Sequence, residues 1–396
     1  MPKPPSPRPR SRTIARAFLL ALLGLFGADV VRVQAQQPEA QDSPEAGTPK
    51  DAKAAGIFAR DNLTAWCIVP FDSKNRTPEE RAAMLERLGF THFAYDWRAE
   101  HVPTFDQEVE ALKRHGVALD AFWCPGELND DSRRILDLLK RHGLKSQLWI
   151  LTDLGADPAE GAEQERRVAE GVARIKPLAQ AAAEIGCTVA LYNHGGWFGE
   201  PENQIAIIER LKQDGVANVG LVYNLHHGHP HVDRLKPLLQ TMMPYLLALN
   251  INGMDPGGDG GARKILPLGQ GGLDLEILRT IRESGYTGLI GILGHTQDDA
   301  EERLRDNLDG LDWLVPQLDG AAPGPRPTPR TPVPPCPPRP PRPGSRRRRR
   351  RKSRPCWKPQ DARATPLGAR RRLPTSASPA SPATRWARWV EGSVPS

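Results

Sequence analysis

Six of the ten histidines in this 396-residue chain lie between His194 and His295, and four of those crowd the stretch N-L-H-H-G-H-P-H from Asn224 to His231. A neutral imidazole can ligate a metal ion or move a proton near neutral pH. Just upstream, an apolar run from Thr188 ends in Tyr192, Asn193 and His194, followed by Gly195, Gly196 and Trp197. Asn224, Asn250 and Asn252 add amides, Asp96, Glu127 and Asp153 add carboxylates, and Trp97, Trp123 and Trp197 add flat apolar faces. Aromatic faces suit the C–H faces of sugars, and amides and imidazoles suit their hydroxyls. The blander reading is that the tryptophans plug a core and that each histidine makes a local hydrogen bond. Adjacent histidines in one loop point different ways, so the H-H-G-H-P-H run is by itself a weak metal signal. The cluster gains meaning only if the fold brings these residues to one place.

The elements that would do so recur along the chain. Short apolar runs at Ala65 to Val69, His92 to Tyr95, Val117 to Phe122, Gln147 to Leu151, Thr188 to Tyr192, Val219 to Tyr223, Leu246 to Ile251 and Gly288 to Leu293 read as strands. Amphipathic helices follow each of them: Thr77 to Leu88, Thr104 to His115, Asp131 to His142, Pro158 to Ile185 (interrupted near Pro177), Pro201 to Asp214, His231 to Met243, Leu273 to Ser284 and Asp299 to Val315. Glycines 89, 116, 143, 186, 215 and 285 stand where helices end. Strands alternating with helices imply right-handed parallel crossovers. Eight such units predict a (β/α)8 TIM barrel over 57–319, with an open doubly wound sheet as the alternative. An open sheet favours a Gly-rich turn after its first strand, where this chain has Pro70-Phe71-Asp72. In a barrel the active site lies at the C-terminal ends of the strands, and every residue named above falls at such an exit.

The ends read differently. Residues 1–35 combine a basic leader, an apolar run from Ala17 to Phe26 and a small-x-small site at Val33-Gln34-Ala35, the pattern of a secretory signal peptide. The expected location is therefore secreted or periplasmic, with membrane attachment only if the signal stays uncleaved. Residues 36–56 form a polar linker. From Gly320 to Ser396 the chain is rich in Pro, Arg and Ser and includes Arg346 to Arg351 in one run, which predicts a disordered tail. That composition fits either a polybasic arm for anionic surfaces or an out-of-frame reading of GC-rich DNA. The formal net charge of +7 hides an acidic centre, since residues 36–319 hold 29 basic against 44 acidic side chains. A nucleic-acid partner for the core is thereby disfavoured. Cys67, Cys124 and Cys187 read as buried free thiols, and no cysteine spacing suggests a metal site or a disulfide framework.

With these residues placed, the chain resembles the xylose isomerase-like TIM barrel family of sugar isomerases, epimerases and apurinic-site endonucleases. The resemblance rests on KPLAQAAAEIGCTVALYNHGG from Lys176, on Asn224-Leu225-His226-His227, on PLGQGGLD at 267–274 and on GYTGLIGI at 285–292. It implies a divalent metal ion at the barrel mouth, held by carboxylates and histidines, and a carboxylate pair that moves a proton beside a carbonyl. Position by position, this chain has Tyr192 in place of the strand-five Glu and Asn224 in place of the strand-six Asp. His227 matches the family histidine. Asn250 falls at the strand-seven His, and Leu293 or Gly294 at the strand-eight Glu. The pattern is similar to a secreted branch with Tyr-x-His-Gly on strand five and Asn-x-x-His on strand six.

The resemblance implies an exported sugar isomerase or epimerase acting on a small carbohydrate, with His194 and His227 as catalytic residues. Substrate binding would fall to Asp96, Trp123, Glu127, Tyr192, Asn193, Trp197, Asn224 and Asn252. If a metal is held, His194, His227 and Asn224 are the candidate ligands. The alternative is a non-catalytic carbohydrate-binding barrel that lacks the family's metal carboxylates.

Overall fold

A computed structural model describes residues 56–257 and 263–334. The expected signal peptide, almost all of the linker, and residues 335–396 of the expected tail, with Cys336 and Cys356, lie outside the described residues. The described chain forms eight parallel strands that close in sequence order, β1 pairing with both β2 and β8. These are β1 (Leu63–Trp66), β2 (His92–Tyr95), β3 (Ala118–Pro125), β4 (Gln147–Leu151), β5 (Thr188–Tyr192), β6 (Val219–Asn224), β7 (Leu246–Ile251) and β8 (Leu289–Leu293). The helices between and after them are α1 (Pro78–Leu88), α2 (Phe105–Arg114), α3 (Asp130–His142), α4 (Gly161–Glu184), α5 (Pro201–Gln213), α6 (Leu235–Met242), α7 (Asp274–Glu283) and α8 (Ala300–Leu318). The fold is the (β/α)8 barrel that the alternation predicts.

Local chemistry sets the joints. Thr77 caps α1 in a reciprocal capping box with Glu80, Pro78 occupies its first turn, and Gly89 closes it at φ 76°. The expected interruption at Pro177 does not occur, because α4 runs unbroken through it from Gly161 to Glu184. Packing of its apolar face, including Ile175, Leu178 and Ala182, outweighs the one hydrogen bond a proline removes. Strand β1 ends earlier than its apolar run implies, because Cys67 adopts a left-handed φ of 57°. Ile68 and Val69 stay buried, but in the loop. The expected helix at His231 begins instead as a 3-10 turn, His229–Arg234, before α6.

The PLGQGGLD motif ties the loop between β7 and α7. The Asp274 carboxylate accepts the backbone N–H groups of Met254, Gly269 and Gly271 at 2.8, 2.8 and 2.9 Å. A side chain at 271 would meet that carboxylate at 2.3 Å, so glycine is required by space. Burial raises the Asp274 carboxyl to about 6 against these donors. Its role is architectural.

The tail boundary also moves. Residues 320–334, expected to be disordered, run back antiparallel along α8. Asp306, buried, accepts the backbone N–H and guanidinium of Arg330 and the N–H and hydroxyl of Thr331. Trp313 donates to the Gly324 carbonyl at 2.9 Å, and Gln270 to that of Pro327 at 2.8 Å. A single buried carboxylate with four donors can order a segment whose composition promises no core.

Candidate active site at the barrel mouth

Aromatic side chains close the barrel interior from below. Trp66 packs edge-on against Trp149 at 4.8 Å, and Trp123 packs edge-on against Tyr192 at 4.8 Å. Trp66, Trp123 and Tyr192 form the floor of a cavity of about 50 Å3, whose rim carries Cys67, Phe71, Asp96, Arg98, His194, His226, His227, Leu293 and His295. This volume is far below the ~300–1,000 Å3 usual for a small-molecule pocket. It can take a few-atom group, while the rest of a ligand lies above the mouth.

Four imidazoles from three strand exits meet here. The ring centroids of His194 and His227 are 4.3 Å apart, those of His226 and His227 4.2 Å, and those of His226 and His295 5.3 Å. Burial lowers the basicity of all four, which holds His226 and His227 well below the ordinary imidazole value and His295 at about 4. Burial thus favours the neutral form of each, which can accept a hydrogen bond at its unprotonated nitrogen. Across the cavity, Asp96 is 2 % exposed, and burial pushes its carboxyl up to about 7. Its Oδ1 accepts a long 3.4 Å bond from the Val69 N–H, the Cys67 thiol lies against the same carboxyl, and Oδ2 has no hydrogen-bond partner within 3.5 Å among the described residues. Arg98 stacks over Phe71 at 5.6 Å, and its Nη1 donates to the backbone carbonyls of Trp97 and Asp96 at 2.9 and 3.4 Å.

Of the residues singled out in the sequence, Asp96, Trp123, Tyr192, His194 and His227 line this cavity. Others are engaged elsewhere. Asn193 is buried and clamps β5 to β6, donating to the Asn224 carbonyl at 3.0 Å and accepting its N–H at 2.7 Å. Asn224 donates to the Tyr192 hydroxyl at 2.6 Å and accepts the His226 N–H at 3.1 Å, so it orients the site from behind. Asn252 donates to the carbonyls of Gly253 and Lys264, which folds its amide into the β7–α7 loop. Trp197 is buried against α4, donating to Gln164 Oε1 at 2.6 Å. Trp97 donates to the Trp123 carbonyl at 2.7 Å and is likewise a plug. Glu127 and Asp153 are exposed on loops and do not reach the cavity. Asn250 faces a smaller void of about 10 Å3 deeper in the barrel, beside Thr64 and Gln147.

His229 and His231 turn away as well. His231 bridges the Tyr223 hydroxyl and Glu200, each at 3.0 Å, and pins the 3-10 turn to the start of α5. Nothing in the sequence marks Trp66, Cys67 or Phe71 as lining the site, as they do. The first two sit where an apolar run disguises a strand end, and Phe71 lies in the Pro70-Phe71-Asp72 turn that follows it. Cys67, Cys124 and Cys187 are buried free thiols, as expected.

A profile of the xylose isomerase-like TIM barrel family matches residues 82–316. The chain belongs to that family. Among solved structures of the same fold are the probable 3-DHS dehydratase involved in petrobactin synthesis from Bacillus anthracis, D-allulose 3-epimerase from Methylomonas sp. in complex with D-allulose, and the IolI protein with a bound zinc atom. The first is 14% identical, with 63% of this chain and 98% of that one covered and a TM-score of 0.50. The second is 15% identical, with 64% and 97% covered and a TM-score of 0.47. The third is 15% identical, with 64% and 98% covered and a TM-score of 0.49. No curated protein matches the sequence.

The metal that family resemblance implies does not fit this mouth. Both groups of the Asn224 amide are engaged, and the hydroxyl of Tyr192 faces Asn224 where a carboxylate ligand is expected. Among the described residues no three His, Cys, Asp or Glu side chains are arranged to hold a metal ion. In the candidate set, Asn224 is bonded to Tyr192 and the His226 backbone, while His194 and His227 pack ring against ring.

Proposed function

We propose that this protein is an exported sugar isomerase- or epimerase-like enzyme that takes the reacting end of a small carbohydrate into the mouth cavity. The observation that carries the reading is the convergence of Asp96 with the His194–His227 pair on one few-atom space at the strand exits. A carboxyl poised near pH 7 is well matched to proton transfer. In the proposed reaction a proton leaves the carbon beside a carbonyl for Asp96 or an imidazole, and the electron pair moves onto the carbonyl oxygen. The Arg98 guanidinium stabilises the charge that develops there. Return of the proton to the opposite face of the same carbon yields an epimer. Its return to the former carbonyl carbon, after a hydroxyl proton crosses between the two oxygens, yields an isomer. Incubating the full-length protein with aldoses, ketoses and oxidised sugars in deuterated water tests this. Deuterium should appear by NMR at the carbon beside the carbonyl and be lost in Asp96→Asn.

A second reading, a carbohydrate-binding barrel without catalysis, is favoured by one observation. The Tyr192–Asn224 hydrogen bond of 2.6 Å occupies the place of two family ligands. It predicts saturable sugar binding by calorimetry with no deuterium exchange.

A further inference from the structure

Beneath the aromatic floor the barrel holds a second polar place, which the proposed reaction does not use. Strand β8 lies between β1 and β7, and its Gly291 is in register with Thr64 on one side and Asn250 on the other. Side chains in register across parallel strands share a face, so Thr64 and Asn250 flank a position that has no side chain. A methyl group at 291 would collide with Asn250 Oδ1. The amide therefore lies across the glycine, and only glycine gives it room. Thr64 is 2 % exposed and Asn250 is fully buried. Yet the Thr64 hydroxyl and both Oδ1 and Nδ2 of Asn250 have no hydrogen-bond partner among the described residues. The polar groups beside them are already engaged. Gln147 Oε1 accepts the Trp149 indole N–H at 2.8 Å, its Nε2 donates to the Leu247 carbonyl at 3.4 Å, and Asp120 lies 2.7 Å from His92. Buried polar groups left unpaired are costly, and protein interiors pair them with protein or with water.

We infer that the void of about 10 Å3 shared by Thr64 and Asn250 is a binding site for one structural water molecule. The space and the donor set both select it. That volume is about one water-sized probe, too small for an organic ligand. A buried water commonly makes about three hydrogen bonds, which matches the Thr64 hydroxyl and the two ends of the Asn250 amide. A metal cation would satisfy the oxygens and leave the Nδ2 donor unpaired, so the chemistry of the pair points away from one. The water joins β1 to β7 across β8, strands that are not neighbours in the sheet, at the seam where the ring closes. It also lies against Trp149, on which Trp66 of the floor packs, so it supports the mouth from below.

Oxygen-17 magnetic relaxation dispersion on the full-length protein tests this, because it counts water molecules held inside for longer than the protein tumbles. Asn250→Leu should lower the dispersion by about one water molecule's worth. Thr64→Val keeps the shape of the side chain and removes only the hydroxyl, and it should lower the dispersion as well. Should Asn250→Leu fail to fold, Thr64→Val decides alone. A dispersion unchanged in the folded variants would overturn the inference. A crystal structure of the full-length protein gives an independent reading. Density about 2.7–3.2 Å from both the Thr64 hydroxyl and the Asn250 amide would sustain the site. Asn250 turned onto a protein partner with the void closed, or a cation revealed there by rubidium anomalous scattering, would sink it.

Discussion

The two ends of the barrel use the same side chain in opposite ways. At the base, His92 lies 2.7 Å from Asp120, His115 lies 2.9 and 2.7 Å from Glu79 and Glu86, and His142 lies 2.8 Å from Asp106. Hydrogen bonds to these carboxylates raise the basicity of His92 and His115, and the pairs staple helix ends and strand starts. At the mouth, burial among other imidazoles and near Arg98 drives basicity down. Pairing turns an imidazole into scaffold. Crowding without acid partners keeps it neutral and able to receive a proton.

The sharpest way to break this contrast is to remove the proton-handling groups at the mouth. Asp96→Asn and His227→Ala should each lower deuterium exchange about 10²–10⁴-fold, the usual size of a general acid–base contribution, measured by NMR. Acidification should act next. His295 titrates at about 4 in the fold against roughly 6.5 unfolded, so the unfolded state binds more protons in between. Stability from this group, and from the other lowered imidazoles, is full above pH ~6.5 and is lost as pH falls through the folded values. Asp96 has the opposite sign, since its raised carboxyl loses stability as pH climbs toward about 7. The thermal unfolding midpoint should therefore fall on acidification, and more steeply in Asp96→Asn. A flat profile would show that the imidazoles are not held neutral.

Tyr192→Phe removes the 2.6 Å bond to Asn224 and should cost about 1 kcal/mol in denaturant unfolding, the usual net worth of a hydrogen bond. The smallest effect is expected at the base, where His142→Ala should leave exchange at the mouth unchanged. A loss of exchange there would erase the division between the two ends.

Much of the scaffold was legible because parallel strands buried on both faces read as apolar runs. The bounds of β2, β4 and β7 agree with the runs that announce them. The site was legible only in part. His194 and His227 follow from their place at strand exits. The engagement of Asn193, Asn224, Asn252 and Trp197 in backbone and side-chain bonds does not, since a polar residue at an exit reads alike whether it faces ligand or lattice of loops. Cys67 conceals the end of β1 because only its backbone angle, not its side chain, departs from strand. Asp274 shows the reverse, since its glycine-rich turn announces a buried carboxylate without saying that its work is architectural.

The antiparallel strap of residues 320–334 changes the order in which this protein can be completed. During synthesis β8 must emerge before β1 gains its second neighbour, so the ring closes late. Asp306, inside α8, then waits for Arg330 and Thr331, its four donors. A chain cut at the last helix would leave that carboxylate facing water beside the buried Arg303. A truncation that keeps Asp306 satisfied must therefore retain the strap through Thr331.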